Sequence, residues 1–332
     1  MKHLLLLTTC ALLAVSVFGQ SPGRQFVLNG KINIDTGKAY LVPVSYDSSY
    51  YPIGTVFHRT AISKGKFVIS GPCPQPSMFM LCVEVDSLPI YISDYFIVDT
   101  GVQDITCNVD SVREIPGIAN KYMDELKSER GESLLNYARA HPKSFVVLWE
   151  LIGKLIGRGY EPVLDSTYNS LADGIRNSYA GKVLANEMAT MRRFAVGASF
   201  PELALLDTSM SNAEVDLSSR HVKYVLVDFW DSHCGPCISA FGELKKIYQE
   251  NEPYGFTIVA VSTDEKKYIQ NWKRVIREYQ LPWPQYLDMG GQASSLFVKL
   301  LPTTFLLDSQ GKIVKRDPDL KSLSLFLKEH IH

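Results

Sequence analysis

Two cysteines, Cys234 and Cys237, are separated only by Gly235 and Pro236. An apolar run over 224–229 precedes them and reads as a buried strand, and a helical pattern follows over 238–250. A Cys-x-x-Cys pair at a strand-to-helix junction closes into a small disulfide ring. The same junction puts Cys234 at a helix N-terminus, where unpaired backbone N–H groups and the positive end of the dipole stabilise a thiolate. The chemistry this predicts is thiol–disulfide exchange. Cys234 is the nucleophile, and Cys237, one turn deeper, resolves the mixed disulfide. An inert structural disulfide and a zinc knuckle are the competing readings. Tetrahedral zinc wants a second ligand pair; His221 and His233 exist, but no second Cys-x-x-Cys does. No metal or cofactor is therefore expected.

Asp228 interrupts the apolar run Val225-Leu-Val-Asp-Phe-Trp230. A carboxylate there loses its solvent, which raises its pKa and suits proton exchange with Cys237. A solvated acid at a strand end is the alternative. Trp230 reads as a packing wall beside the dithiol or as plain core. His233, next to Cys234, either adds positive charge that lowers the thiol pKa or is a solvated loop residue.

The combination resembles the thioredoxin superfamily over roughly the last ~135 residues. It rests on Asp228-Phe229-Trp230, the Cys-Gly-Pro-Cys, the apolar strand 256–262, and Leu301-Pro302-Thr303-Thr304-Phe305 ahead of a hairpin at Asp308-Ser-Gln-Gly311. The lead-in Val196-Gly-Ala-Ser-Phe-Pro-Glu-Leu203 is similar to the TlpA/ResA branch, signal-bearing thiol–disulfide oxidoreductases of the cell envelope. The resemblance implies that Asp228 is the family's buried acid and that Pro302 is a cis-proline facing the dithiol. The backbone of Leu301 would then pair with a substrate strand. Trp230, His233, Gly235, Pro236, Leu301 and Pro302 form the implied substrate-facing set. The chain departs from the branch where Arg, Glu and Pro are usual: Ile238, Ala240 and Gly242 stand there, and His233 replaces the usual aromatic. The implied activity is reduction of protein disulfides with electrons from a membrane-borne donor, in the periplasm or envelope of a Gram-negative bacterium. A disulfide oxidase or isomerase, a thiol peroxidase, and a binding or scaffold protein with an auxiliary dithiol are the alternatives.

The 332 residues suffice for two domains or more, and 46% apolar with 21% charged residues is ordinary globular composition. A net charge of −1 gives no reason to expect nucleic acid or an anionic membrane surface as partner. Lys2 followed by the apolar run 4–18 reads as a signal peptide ending near Gly19, so that no membrane span is expected after cleavage. Cys10 lies inside that run. An oxidising compartment follows from export and tolerates disulfides. Cys73, Cys82 and Cys107 remain once Cys234 and Cys237 pair, so at least one of the three is free or intermolecular.

The expected fold is an α/β thioredoxin fold at the C-terminus (196–332) and an all-β, sandwich-like domain at the N-terminus (20–117). A helical connector (118–195) joins them. Strand-like runs recur at 26–34, 39–45, 55–62, 65–70, 78–85, 95–98 and 103–109, with turn signals between. Their order also resembles a β-domain often fused ahead of envelope thioredoxin modules. Helical periodicity begins near Tyr122 and Leu126, continues over 133–139 and breaks at His141-Pro142. It resumes at 145–156 behind Ser144 as N-cap, then at 163–179 and 182–193. In the last part, strands at 222–230, 256–262, 303–307 and 313–316 alternate with helices at 234–249, 265–279 and 320–330.

Overall fold

The computed structural model describes residues 24–52, 55, 59–110, 134–215 and 222–331. The N-terminal run read as a signal peptide, with Cys10, the periodicity at Tyr122 and Leu126, and His221 lie outside the described residues.

Alternating apolar residues build the first sheet from β1 (Gln25–Ile32), β2 (Thr36–Pro43), β3 (Thr60–Ser63), β4 (Lys66–Pro72), β5 (Ser77–Val85), β6 (Leu88–Ile92), β7 (Phe96–Val98) and β8 (Gly101–Cys107). They pair in the order β6-β5-β2-β3-β4-β1-β8, with β7 also on β5. All pairings are antiparallel except β1 with β8. In β1, Phe26, Leu28 and Ile32 point into the core while alternate positions are less buried. Gly30 is needed there: a Cβ would sit 2.0 Å from the Phe67 ring on β4. The sequence reading placed no strand between 85 and 95 and so missed β6, which carries Pro89. Its edge position and a shift of register between Val83 and Glu84 accommodate the proline.

One face of this sheet is covered by helices. Phe145–Arg158 buries Val146, Val147, Leu148, Trp149, Leu151 and Ile152, a run too continuous for a surface helix. Ser144 caps it, accepting from Val147 N–H at 3.4 Å. Trp149 reaches the sheet, donating Nε1–H to the Pro76 carbonyl at 3.1 Å and stacking on Tyr51. The single helix expected over 163–179 is two, Pro162–Asn169 and Asp173–Arg176. Ala172 breaks it by turning its N–H onto the Pro142 carbonyl (2.7 Å), a tertiary bond that overrides the local pattern. Tyr179–Met191 follows behind the Ser178 cap. Sheet and helices share one hydrophobic core, from Phe26 to Met191.

The C-terminal sheet contains β9 (Ala204–Leu206), β10 (Asn212–Glu214), β11 (Tyr224–Trp230), β12 (Phe256–Ser262), β13 (Gln285–Leu287), β14 (Thr303–Asp308) and β15 (Ile313–Arg316). The order is β10-β9-β13-β12-β11-β14-β15, which places β11 near the centre. β11, β12 and β13 run parallel, and β14 and β15 close the sheet antiparallel. This is the expected thioredoxin-like α/β fold. Three-residue β13 was invisible in the sequence; its length gives no periodicity to read. Because β11 alternates, Val225, Val227 and Phe229 enter the core on one face, while Leu226 and Trp230 join the core formed with helices Gly235–Asn251 and Leu320–Ile331. Asp228 shares that second face.

Candidate active site

β11 ends at Trp230, and three loop residues later Cys234 caps the helix Gly235–Asn251. Cys234 keeps extended backbone angles, and its Sγ accepts the Cys237 N–H at 3.2 Å. A sulfur in the N-cap role faces the unpaired N–H groups of the first turn, the environment that favours a thiolate. Cys234 and Cys237 are joined as a disulfide with Cα atoms 5.3 Å apart. Cys234 is partly exposed while Cys237 is 2% exposed, so one sulfur faces solvent and the other the core.

Asp228 is 2% exposed, and burial pushes its carboxyl up to about 7. It lines a cavity of about 280 Å³ together with Cys237, Pro302, Thr304 and Asp317. The carboxyl and the inner sulfur thus open onto one small space. Burial likewise raises Asp317, against the opposing pull of the Thr304 N–H and of Arg316. The Leu301–Pro302 peptide bond is cis, and Pro302 forms part of the cavity wall.

The loop ahead of Cys234 is held by a residue that the sequence reading missed. Asp264, just past β12 and 3% exposed, accepts the Ser232 N–H at 2.9 Å and the Ser232 hydroxyl at 2.7 Å. The Ser262 hydroxyl adds a third bond at 2.7 Å. Asn271 Nδ2 donates to the Ser232 carbonyl and hydroxyl from the neighbouring helix Ile269–Tyr279. The signal was present, an acid two residues past an apolar strand, but no motif marked it. His233 lies against the Tyr268 ring with Nδ1 3.5 Å from Asp264 Oδ1, and its side chain is half exposed.

Cys234, Cys237, Asp228 and Pro302 therefore come together, with exposed Gly235 and Pro236 at the rim and Leu301 beside them. Trp230 does not join the substrate-facing set. It is 0% exposed, packed edge-on against Phe241, and backs the dithiol from inside the core. Asp231, His233 and Asp264 offer ligand atoms within 4.8 Å of one another, but the Asp264 carboxylate already takes three hydrogen bonds. Cys73, Cys82 and Cys107 are each buried and none is in a disulfide, which removes a structural disulfide among them.

The family model for the AhpC/TSA family matches residues 196–316. The thiol-disulfide oxidoreductase ResA of Geobacillus thermodenitrificans is 30% identical over 134 residues, covering 40% of this chain and 75% of that protein. The chain belongs to the ResA thiol–disulfide oxidoreductases. ResA of Bacillus subtilis is 33% identical over 121 residues, 36% of this chain and 65% of its own length. Among solved structures, the thioredoxin domain of a thiol-disulfide oxidoreductase from Bacteroides vulgatus aligns at 28% identity. It covers 42% of this chain and 99% of that domain, with a TM-score of 0.37. This ResA-type chain is thus an enzyme of thiol–disulfide exchange, built on a thioredoxin-like module that follows an N-terminal body of different architecture.

Proposed function

We propose that the protein is an exported reductase of protein disulfides, with Cys234 as nucleophile, Cys237 as resolving thiol and Asp228 as proton acceptor. The observation that carries this reading is the asymmetry of the pair: a partly exposed sulfur capping a helix, and a buried sulfur sharing a cavity with a carboxyl poised near 7. In the reduced enzyme the Cys234 thiolate attacks one sulfur of a substrate disulfide. A mixed disulfide forms and the other substrate sulfur leaves as a thiolate, which takes a proton from solvent. Asp228 then accepts the Cys237 proton, and Cys237 attacks Cys234 Sγ. That attack breaks the mixed disulfide, and the second substrate sulfur leaves as a thiolate that takes the proton from Asp228 or from solvent. The substrate has gained two electrons, and the enzyme dithiol, now the Cys234–Cys237 disulfide, has lost them. A dithiol donor must reduce it again. A membrane-borne donor fits an exported enzyme.

Gly235-Pro236 between the cysteines supports the reducing direction, and the apolar run after Lys2 supports export to the periplasm or envelope of a Gram-negative cell. Among the described residues no helix is long and apolar enough to cross a membrane. Residues 196–332 are the catalytic module in this reading, and 20–117 with 118–195 are the body it is attached to. Gly235, Pro236, Leu301 and Pro302 form the surface offered to substrate, with His233 at its edge.

A Cys237→Ala variant tests the reading. Expressed in the cell envelope, it should hold client proteins as mixed disulfides on Cys234, released by reductant and identified by mass spectrometry. A variant that traps nothing, or a wild-type dithiol whose potential in glutathione buffers lies near ~−120 mV, would overturn the reductase assignment.

A further inference from the structure

The segment leading into Pro302 packs on the N-terminal body. Phe297 and Leu300 lie against the core that the first sheet shares with its helices. Between them, Lys299 Nζ stands 2.5 Å from Asp47 Oδ2 and 2.6 Å from Glu187 Oε1. Asp47 follows β2, and Glu187 belongs to the helix Tyr179–Met191. One ammonium group therefore joins the C-terminal module to both layers of the body. The side chains of Lys299, Asp47 and Glu187 are 23%, 16% and 14% exposed, so the cluster is shielded from water and salt. The Tyr50 hydroxyl donates to Glu187, and the rings of Tyr50 and Phe297 lie 5.1 Å and 4.6 Å from the ammonium. Burial alone would raise Asp47, but hydrogen bonds from Lys299 and Ser49 hold it below the ordinary carboxylate value.

The same segment is fixed on either side of Lys299. Phe297 has φ +62°, in the left-handed region that is costly for an aromatic residue and persists only where surroundings enforce it. Its carbonyl accepts Arg316 Nη2–H at 3.2 Å. Arg316 in turn lies so close to Gly159 of the body that a Cβ there would come within 2.5 Å of its Cδ. Downstream, the Leu300 carbonyl accepts the Thr303 hydroxyl at 2.7 Å, and the cis Leu301–Pro302 bond lies between.

We propose that Lys299 is a positioning residue: its ion pairs with Asp47 and Glu187 hold the Phe297–Pro302 segment on the N-terminal body, which thereby sets the edge presented to protein substrates. The proposal rests on Leu301–Pro302 being that edge, as argued above. Without the ammonium, two shielded carboxylates of the body are left unpaired on its side of the joint. The lost pairing removes what ties the segment to the body, and it is released.

The test uses the full chain as wild type, Lys299→Met, Lys299→Arg and Asp47→Asn, with two measurements. The first is reduction of insulin against reduction of hydroxyethyl disulfide, with the glutathione equilibrium of the dithiol as control. Lys299→Met should lower kcat/KM for insulin about tenfold, mostly through KM, and leave the small disulfide and the equilibrium within about twofold. Lys299→Arg should retain most of the activity, and Asp47→Asn should lose less than Lys299→Met. The second is hydrogen exchange of residues 297–300, which should quicken at least about tenfold in Lys299→Met while the β11 amides stay protected. Equal losses on both disulfides, or unchanged exchange at 297–300, would overturn the positioning role. Should wild type reduce no insulin, the reductase reading fails and the exchange measurement still decides the joint. If Lys299→Met does not fold, Asp47→Asn carries both measurements.

Discussion

The two bodies of the molecule bury the same kinds of side chain and put their buried polar groups to different uses. In the N-terminal body, a large core runs from the sheet into the helices and a small one of Val42, Met80 and Cys82 is separate from it. The buried polar residues Glu84, Ser93 and Thr167 there each have a partner of their own, in Arg59, the Leu81 N–H and the Val163 carbonyl. In the C-terminal module, two cores lie on opposite faces of one sheet. Ser232, Ser262 and Asp264 bond to one another where β11 and β12 end, Asp228 lies in the cavity with Cys237, and Asn251, Gln285, Asp288 and Thr303 are buried outside that cluster. A parallel sheet collects strand ends and a helix N-terminus at one edge, and buried polar groups placed there can act on a common point. A sheet that spends its face on helix packing offers no such edge. The contrast teaches that the body's contribution to the reaction is mechanical, delivered through the Lys299 joint.

The largest expected effect tests whether the bodies are separate in stability. Trp149 is wholly buried, stacked on Tyr51 and bonded to the Pro76 carbonyl, so it spans the seam between helices and sheet. Trp149→Ala should cost the body about 3–5 kcal/mol. Followed by circular dichroism in urea, unfolding should split into an early transition for the body and a later one for the module. Hydroxyethyl disulfide reduction should survive through the first transition. A single transition, shifted as a whole, would show instead that both bodies fold as one unit and would erase the comparison.

Asp228 gives the next effect, with a definite dependence on pH. Burial raises its carboxyl from 3.8 to about 7, so the folded chain holds a proton that the unfolded chain has lost. Relative to the protonated form, stability is full below about pH 4 and falls as pH rises towards about 7, by up to about 4 kcal/mol. Asp228→Asn removes the ionisable group. The variant should match wild type at pH 4 and be the more stable of the two at pH 8, while insulin reduction slows about a hundredfold. A stability difference that ignores pH would show that the carboxyl titrates normally, and with it the proton-acceptor role would go.

These effects mark how far the sequence could be read. Cys234, Cys237 and Asp228 stood out because each belongs to a local pattern, a spaced pair at a junction and an acid in an apolar strand, whereas Pro302 was singled out only by the resemblance to the thioredoxin superfamily. The alternation of β1 and the continuous burial of the helix Phe145–Arg158 were legible for the same reason. Trp230 could not be placed from its neighbours, since both faces of a strand look apolar when the sheet is covered on both sides. Lys299 carried no signal at all. Its partners lie 252 and 112 positions away, and a lysine in a loop reads as solvated until the fold brings two acids to it.

The smallest effect sets one buried acid of each body against the other. Asp264 is 3% and Glu84 5% exposed, yet their partners differ in kind. Asp264 accepts a backbone N–H and two hydroxyls that shape the loop before Cys234. Glu84 is paired at 2.9 Å with Arg59, whose side chain is 54% exposed and can re-solvate. Asp264→Asn replaces one acceptor oxygen by a donor facing donors, and should cost about 1–3 kcal/mol and slow insulin reduction several-fold as the loop loosens. Glu84→Gln keeps an acceptor for Arg59 and should cost about 1 kcal/mol or less, with turnover unchanged. Thermal unfolding and insulin reduction on both variants decide the matter. If Glu84→Gln slows turnover as much as Asp264→Asn, buried acids in the body reach the dithiol too, and the division between a chemical module and a mechanical body does not hold.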